Sequence, residues 1–260
     1  MRADFDRDGA VLVRDAVPRQ TCERLHEAIE RCREQPSEHY ALLSESGRAP
    51  VDSDLFRWFD NDAIREVLFT SPLARLAATL LGGDTVVLIE DQWFASAPGA
   101  DTPSPWHQDE PYYNIDGDFV TLWLALDDAP AGAALSVVPG SHRWGRTFAP
   151  VAFVAGAEPV AGDFERLSPN DVASTAQVSW DVRAGDVIAL HPLMLHSAGS
   201  QPVPHHWFRR LSTRWAASTA RYVDRGEQAA DFWRLLRHGL HTGDLLACDT
   251  FPLVTPVQGA

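Results

Sequence analysis

The chain has 260 residues, 45% of them apolar and 22% charged, so it can bury a large core and does not have the composition of a disordered protein. Its formal net charge of -14 argues against nucleic-acid and acidic-membrane partners, because both need clustered cations. No stretch approaches the roughly 20 apolar residues of a membrane span. Cys22, Cys32 and Cys248 lack C-x-x-C spacing, which favours reduced thiols and a cytoplasmic location.

The first third of the chain carries helix signals. Cys22, Leu25, Ile29 and Cys32 recur at helical spacing between Pro18 and Glu34, which predicts an amphipathic helix. A second helix is expected to open near Asn61 or Asp62. Ser71-Pro72 has the pattern of an N-cap followed by proline at the first helical position, with Gly82-Gly83 as the stop. We therefore expect residues 1–84 to be mainly helical.

After Gly83 the pattern changes to short β-branched and aromatic runs between turn residues, which indicates an antiparallel sandwich or barrel. The predicted strands are 85–94, 119–127, 134–138, 177–182, 186–191 and 206–216. Residues 145–176 lack sustained periodicity and are expected to form an insertion over the site. Residues 226–240 again look helical, within a C-terminal part of residues 223–260. The sequence shows no interdomain linker, so we expect one domain over residues 1–260.

Candidate metal ligands stand in the segment TPSPWHQDEPYY. His107 and Asp109 are two residues apart, so in an extended segment both side chains project from one face. A downstream histidine on a neighbouring strand would complete a two-histidine, one-carboxylate triad, which leaves coordination positions open on Fe(II). His196, in GDVIALHPLMLHSAGS, is the candidate. The sequence thus predicts an iron site on His107, Asp109 and His196.

Five motifs occur in an order that resembles the phytanoyl-CoA dioxygenase family of Fe(II)/2-oxoglutarate oxygenases. They are PWHQD at 105–109, LWLALD at 122–127, VVPGSH at 137–142, GDVIALHPLMLHSAGS at 185–200 and RRLSTRW at 209–215. The resemblance covers residues 85–222. It implies a mainly β fold with flanking helices, built on a double-stranded β-helix (jelly roll, cupin-like) core. It also implies Fe(II), 2-oxoglutarate and O2 as the cofactor and co-substrates of a dioxygenase.

The resemblance extends to the residues around the metal. Gln92 and Trp123 match positions that line the co-substrate pocket in the family. Residues that flank the metal motif are candidates for a substrate wall: Trp106, Tyr112, Tyr113, Asn114 and Asp116. Aromatic residues there and the absence of basic tracts favour a small organic substrate, oxidised by hydroxylation in secondary metabolism. We expect a monomer or homodimer. Because Asp109 fills the carboxylate position, halogenation is not expected.

His191 competes with His196 as the distal ligand. The odd spacing of five places the two on opposite faces of a regular strand, and the family position favours His196, which leaves a structural role to His191. His142 is assigned to the PGSH turn, and His205 and His206 to an exposed loop.

The anchor for 2-oxoglutarate departs from the family pattern. Ser96 stands where the family often has a lysine, and Phe208 where it has an arginine. Arg210 shares strand parity with Arg214, so we expect both to face the barrel interior, with Arg210 rather than Arg209 holding the carboxylate. A bulge beside Phe208 would reverse that assignment.

Two alternatives follow from these departures. The protein could be an Fe(II) enzyme that chelates its substrate directly, as an oxygenase or isomerase, and does not use 2-oxoglutarate. It could also be a cupin-like metal-binding module without turnover. Succinate release separates the first alternative from the main interpretation, and any turnover removes the second.

Overall fold

The computed structural model of the chain describes residues 1–153, 164–199, 201–202, 205–230 and 232–256. The helices are α1 (Arg2–Asp8), α2 (Arg19–Glu34), α3 (Asp62–Thr70), α4 (Pro72–Leu81), α5 (Pro169–Ala173) and α6 (Phe232–Leu235). The strands are β1 (Ala10–Val13), β2 (Ala41–Leu42), β3 (Val51–Leu55), β4 (Val86–Ser96), β5 (Ile115–Asp116), β6 (Phe119–Ala125), β7 (Leu135–Val137), β8 (Val178–Ser179), β9 (Val187–Leu190), β10 (His196–Ala198), β11 (Phe208–Ala217), β12 (Arg221–Tyr222) and β13 (Leu253–Val254).

The strands form two antiparallel sheets with a cavity between them, which confirms the predicted jelly roll. The major sheet has the order β1-β9-β6-β11-β4-β3-β2, with β13 beside β4. The minor sheet has the order β10-β7-β8, and β12 and β5 form a separate pair. The six predicted core strands all occur, within two residues at most ends. The exception is the strand predicted over 177–182, which is reduced to β8.

Helices α2, α3 and α4 cover the outer face of the major sheet. All four apolar positions predicted for the buried side of α2 are buried. They belong to the same apolar cluster as Leu122, Leu211 and Trp215, which alternate with inward-facing residues on β6 and β11. Both helices begin where expected. Asn61 accepts hydrogen bonds from the first turn of α3, and Ser71, the predicted N-cap, precedes Pro72 at the start of α4. The helical layer and the outer face of the sheet thus share one apolar cluster beneath the cavity.

A β-bulge in β4 decides which of its side chains enter the cavity. Arg214 of β11 faces Glu90, whereas the next residue, Trp215, faces Leu88, so Ile89 is an extra residue in β4. Before the bulge Leu88 packs in the outer cluster beneath the helices, and after it Glu90 lines the cavity. One inserted residue thus reverses the faces of the strand and turns an acidic side chain inward.

Both ends of the chain differ from the predicted pattern. The first 84 residues, which were expected to be mainly helical, also supply β1, β2 and β3 to the major sheet. They begin with α1, a helix that was not predicted. The helix expected over 226–240 is limited to a 3-10 turn at Gly226–Gln228 and to α6. Ala229 and Trp233 of this segment are buried, and Phe232, Leu236 and Leu240 pack partly buried against the same cluster. The insertion expected over 145–176 contains α5 and lies partly outside the described residues. No helix in the described ranges is long and apolar enough to cross a membrane.

Candidate active site

The predicted metal ligands come together in the lining of the cavity. His107 and His196 exchange two backbone hydrogen bonds of 3.0 Å, which sets their rings side by side. The Nε2 atoms of both histidines lie 3.7 Å from Oδ1 of Asp109. The three ligand atoms all lie within 4.8 Å of one another, and all three side chains are buried. Such a set of two imidazoles and one carboxylate can hold a divalent metal.

The way in which Asp109 reaches the site differs from the expected extended segment. Its backbone is helical, with φ -75° and ψ -36°, and it caps a 3-10 turn at Glu110–Tyr112 that contains Pro111. Proline favours such a turn because its ring fixes φ near the helical value. The carboxylate therefore reaches the histidines from the start of a turn rather than from a regular strand.

Each histidine is held through its other ring nitrogen. Nδ1 of His107 lies 2.8 Å from the carbonyl oxygen of Pro105, and Nδ1 of His196 lies 2.9 Å from that of Met194. A carbonyl only accepts, so Nδ1–H donates in both rings and Nε2 is left free for a metal. Burial lowers the pKa of His107 to about 3, which keeps this imidazole neutral at physiological pH.

His191 lies outside this site. Its Nδ1 accepts a hydrogen bond of 3.1 Å from the backbone of Leu193, and its ring packs against Phe5 and His142. These contacts tie the N-terminal helix to the turn before β10. His142 itself lies in a 3-10 turn, as expected for the PGSH motif, and His206 is exposed.

A row of polar side chains runs across the sheet behind Asp109. Thr121 of β6 donates to Oδ2 of Asp109 at 2.5 Å, and Nε of Arg214 lies 3.8 Å from the same oxygen. Arg214 Nη1 donates to Oε1 of Glu90 at 2.9 Å, and Tyr113 donates to Oε2 of Glu90 at 3.1 Å. Burial opposes the charged form of Asp109, but the positive charge of Arg214 holds the pKa of this carboxyl below its ordinary value.

A second cationic group lies deeper in the cavity. Nη1 of Arg210 donates to Ser96 Oγ at 2.6 Å and to the carbonyl of Phe208 at 3.1 Å. Its guanidinium carbon lies 5.1 Å from the ring centre of Phe94 and 5.4 Å from that of Phe208. Among the described residues no carboxylate pairs with it. Burial lowers the pKa of Arg210 to about 10, so the group remains a cation at neutral pH.

Arg209 points away from the cavity. Its guanidinium pairs with Glu30 of α2 at 2.7 Å and with Asp127 at 3.3 Å on the outer face of the sheet. The bulge that would have exchanged Arg209 and Arg210 is absent near Phe208, because β11 pairs with β4 in regular register from Phe208 to Arg214.

The cavity has a volume of about 420 Å³ and extends from Arg210 past the triad to an aromatic wall. Gln92, Trp123 and Arg214 line it, together with Tyr112 and Tyr113. The Tyr112 hydroxyl both donates to the carbonyl of Val151 and accepts from its amide, and its ring stacks on Phe153. Phe153 in turn packs edge-on against His107 at 4.7 Å.

Three predicted wall residues do not line this cavity. Trp106 packs against a separate apolar cluster beside Phe148. Asn114 is buried and bonds to the backbone of Arg225, which ties down the C-terminal part. Asp116 is exposed on β5. All three stand near the metal motif in sequence, but the chain turns after Asp109 and carries Asn114 and Asp116 out of the cavity.

Several cavity residues were not singled out in the sequence: Glu90, Thr121, Phe153 and Phe232. For Glu90 a signal existed, because two acids interrupt the apolar run VVLIEDQW. For Phe153 and Phe232 the sequence carried no such signal, since both lie far along the chain from the metal motif.

Comparisons with known proteins agree with this geometry. The sequence profile of the family described as "Phytanoyl-CoA dioxygenase (PhyH)" matches residues 5–202. No curated protein sequence matches the chain. The chain is similar to the structure of the epimerase SnoN in complex with Fe3+, alpha ketoglutarate and nogalamycin RO. The two are 25% identical with a TM-score of 0.75 over 97% of this chain and 96% of that one.

Two further structures share the fold. The non-heme alpha ketoglutarate dependent carbocyclase SnoK from nogalamycin biosynthesis is 20% identical, with a TM-score of 0.75 over 98% of this chain and 95% of that one. EctD from S. alaskensis, with 2-oxoglutarate and 5-hydroxyectoine, is 17% identical, with a TM-score of 0.67 over 93% of this chain and 84% of that one. The likeness spans nearly all of this chain.

Proposed function

Since the chain belongs to the phytanoyl-CoA dioxygenase family, we propose that it is a non-haem Fe(II)/2-oxoglutarate-dependent dioxygenase that oxidises a small organic molecule in secondary metabolism. The observation that carries this proposal is the presence, in one cavity, of a buried two-histidine, one-carboxylate set and a buried arginine without a carboxylate partner among the described residues. The first group suits Fe(II) and the second suits the distal carboxylate of 2-oxoglutarate.

The donor set fits Fe(II). His107, Asp109 and His196 would hold the ion, with the neutral imidazoles and the ionised carboxylate that metal binding requires. Iron bound in this way supplies the activation of O2 and the oxidising power for the substrate. The protein would keep its three ligand atoms on one side of the metal ion, so that the side facing the cavity is left for the co-substrates.

The site around Arg210 fits a carboxylate. A buried guanidinium without a counter-ion is unfavourable, and a bound carboxylate would relieve that cost through charge-assisted hydrogen bonds. Ser96 occupies the position at which the family often has lysine, and its hydroxyl lies within hydrogen-bond distance of Arg210. We infer that Arg210 with Ser96 replaces the family's usual cations. Gln92, Trp123 and Arg214 complete the wall on this side.

The aromatic end of the cavity favours an uncharged or cationic substrate with an apolar body. Tyr112, Tyr113, Phe153 and Phe232 supply apolar surface there. The charged lining residues on that side are Glu90 and Glu227, together with Arg214, whose guanidinium already pairs with Glu90. Among the described residues no unpaired cation remains for a second anionic molecule.

The test is anaerobic titration of the Fe(II)-loaded protein with 2-oxoglutarate, followed by turnover in air with a panel of uncharged, cationic and anionic metabolites. We expect a weak visible charge-transfer band on addition of 2-oxoglutarate. Succinate formation should accompany a mass gain of one oxygen in an uncharged or cationic compound. Absence of the band at saturating metal and co-substrate would instead favour an iron enzyme that chelates its substrate directly. The missing lysine and Phe208 would then be explained by the loss of 2-oxoglutarate binding.

A further inference from the structure

Glu90 lines the cavity as the ion-pair partner of Arg214, and the proposed chemistry gives this acid no role. Both side chains are buried, and Arg214 lies between two carboxylates, those of Glu90 and Asp109. It donates to Glu90 at 2.9 Å but stays 3.8 Å from Asp109, beyond hydrogen-bond distance. Its Nε, the atom nearest Asp109, is buried without a hydrogen-bond partner. The guanidinium of Arg214 therefore hydrogen-bonds to Glu90 and does not hydrogen-bond to Asp109.

The pairing of Arg214 with Glu90 rather than with Asp109 matters for the metal site. Oδ1 of Asp109 faces both histidines, whereas Oδ2 faces Thr121 and Arg214. A guanidinium that closed fully on Asp109 would form a buried charge pair and would compete with a metal ion for the same carboxylate. Glu90 prevents this because it supplies the charge that Arg214 would otherwise take from Asp109. The bulge at Ile89 is what places Glu90 there.

We propose that Glu90 is a positioning residue for the metal centre: by neutralising Arg214 it keeps Asp109 available as a metal ligand. This inference rests on the proposed function, in that it takes the triad as the metal site. Glu90 touches neither the metal ligands' donor atoms nor the metal position; it acts through Arg214. If Glu90 only satisfied a buried arginine, Glu90→Gln would change the stability of the fold and would leave the metal affinity of the folded protein unchanged.

Co(II) is the probe, because it binds sites of this kind and reports its coordination through its visible spectrum. Titrations of the metal-free protein are made at pH 8. Glu90→Gln should weaken Co(II) binding by roughly 10- to 100-fold, the range typical for loss of a group that supports a metal ligand. Arg214→Gln removes the competing cation and should bind Co(II) at least as tightly as wild type. The double variant Glu90→Gln/Arg214→Gln should recover most of the affinity that Glu90→Gln loses.

The chain offers a matched control on the other face of the same strand. Arg209 pairs with Glu30 as Arg214 pairs with Glu90, but outside the cavity. Glu30→Gln should leave the Co(II) affinity and spectrum unchanged. Thermal melting of each metal-free variant checks that the fold is retained. If Glu90→Gln does not fold, the comparison of Arg214→Gln with the double variant remains, and the two should bind Co(II) with similar affinity, because Glu90 has no cation left to neutralise once Arg214 is replaced.

The inference is overturned if Glu90→Gln binds Co(II) like wild type, or if the double variant binds no better than Glu90→Gln. It is also overturned if Arg214→Gln and the double variant bind Co(II) with clearly different affinities, because Glu90 would then act on the site without Arg214. These failures differ from failure of the proposed function, which would appear as absence of Co(II) binding by the wild-type protein.

Discussion

Arg209 and Arg210 are neighbours in β11, and their guanidinium groups lie on opposite sides of the major sheet. Arg209 pairs with Glu30 and Asp127 against α2, whereas Arg210 ends inside the cavity beside Ser96. Strand alternation produces this separation, because successive side chains point to opposite faces. The two residues therefore form a matched pair of equal charge, of which only one can reach a ligand in the cavity.

Replacing Arg210 by alanine should weaken 2-oxoglutarate binding by about 2–5 kcal/mol, as expected for loss of one partner of a buried charge pair. Arg209→Ala should change co-substrate affinity little and should lower the thermal stability instead, since it breaks ion pairs to α2. The measurement is the 2-oxoglutarate dissociation constant from the anaerobic charge-transfer band. A larger loss of affinity in Arg209→Ala would show that the anchor has been assigned to the wrong arginine.

Removal of any member of the triad should abolish tight metal binding. His107→Ala, Asp109→Ala and His196→Ala each delete one of three donors for the one Fe(II) expected per chain. We expect the Fe(II) affinity to fall by at least about tenfold in each, because tenfold is the lower end of the losses caused by removing a group that only supports a metal ligand. His191→Ala is the control, because His191 is a half-buried histidine on the same segment whose contacts are to Phe5, His142 and Leu193. Wild-type Fe(II) affinity in all three triad variants would contradict the assignment.

Tyr112 should hold the segment around Val151 over the aromatic end of the cavity. Its hydroxyl makes two hydrogen bonds to the backbone of Val151, at 2.7 and 2.8 Å. Tyr112→Phe keeps the ring that stacks on Phe153 but removes both bonds, so amide hydrogen exchange at Val151 should accelerate. Exchange at a core amide such as that of Leu124 serves as the reference. Unchanged exchange at Val151 would mean that Tyr112 does not restrain this segment.

The stability of the metal-free protein should depend on pH through Asp91. This residue is fully buried on β4 and accepts hydrogen bonds from the backbone of Arg57 and Trp58, and burial raises its pKa to about 7. Because the folded-state pKa lies above the ordinary value of 3.8, the unfolded chain loses its proton first as the pH rises. The stabilisation that is present at pH 4 is therefore lost as the pH rises through 7.

Asp91→Asn removes this titration and is the comparison that isolates it. The free energy of unfolding of wild type relative to Asp91→Asn should fall between pH 4 and pH 8, by on the order of a few kcal/mol. Urea unfolding of both proteins at a series of pH values measures the difference. A difference that is constant with pH, or that grows in favour of wild type as the pH rises, would be inconsistent with a raised pKa at Asp91.

The sequence alone determined the elements whose signals are local. The buried stripe of α2, the start of α3 near Asn61, the cap Ser71 and the alternation of the core strands could all be predicted, because these signals depend only on neighbours along the chain. The three candidate metal ligands were identified because H-x-D and a distal histidine occur in an ordered set of motifs. Strand parity likewise predicted that Arg210 and Arg209 lie on opposite faces of the sheet. The regular register of β11 from Phe208 to Arg214 agrees with that prediction.

Only the tertiary structure decided which other side chains share the cavity. Whether Glu90 faces inward depends on one extra residue in β4, and a bulge depends on pairing with β11 rather than on the local sequence. The turn after Asp109 carried Asn114 and Asp116 out of the cavity, although they lie close to the metal motif in sequence. Phe153 and Phe232 arrive from distant segments, so contacts between parts of the chain far apart in sequence placed them. The local sequence therefore specifies the elements, while long-range packing specifies which of their side chains meet.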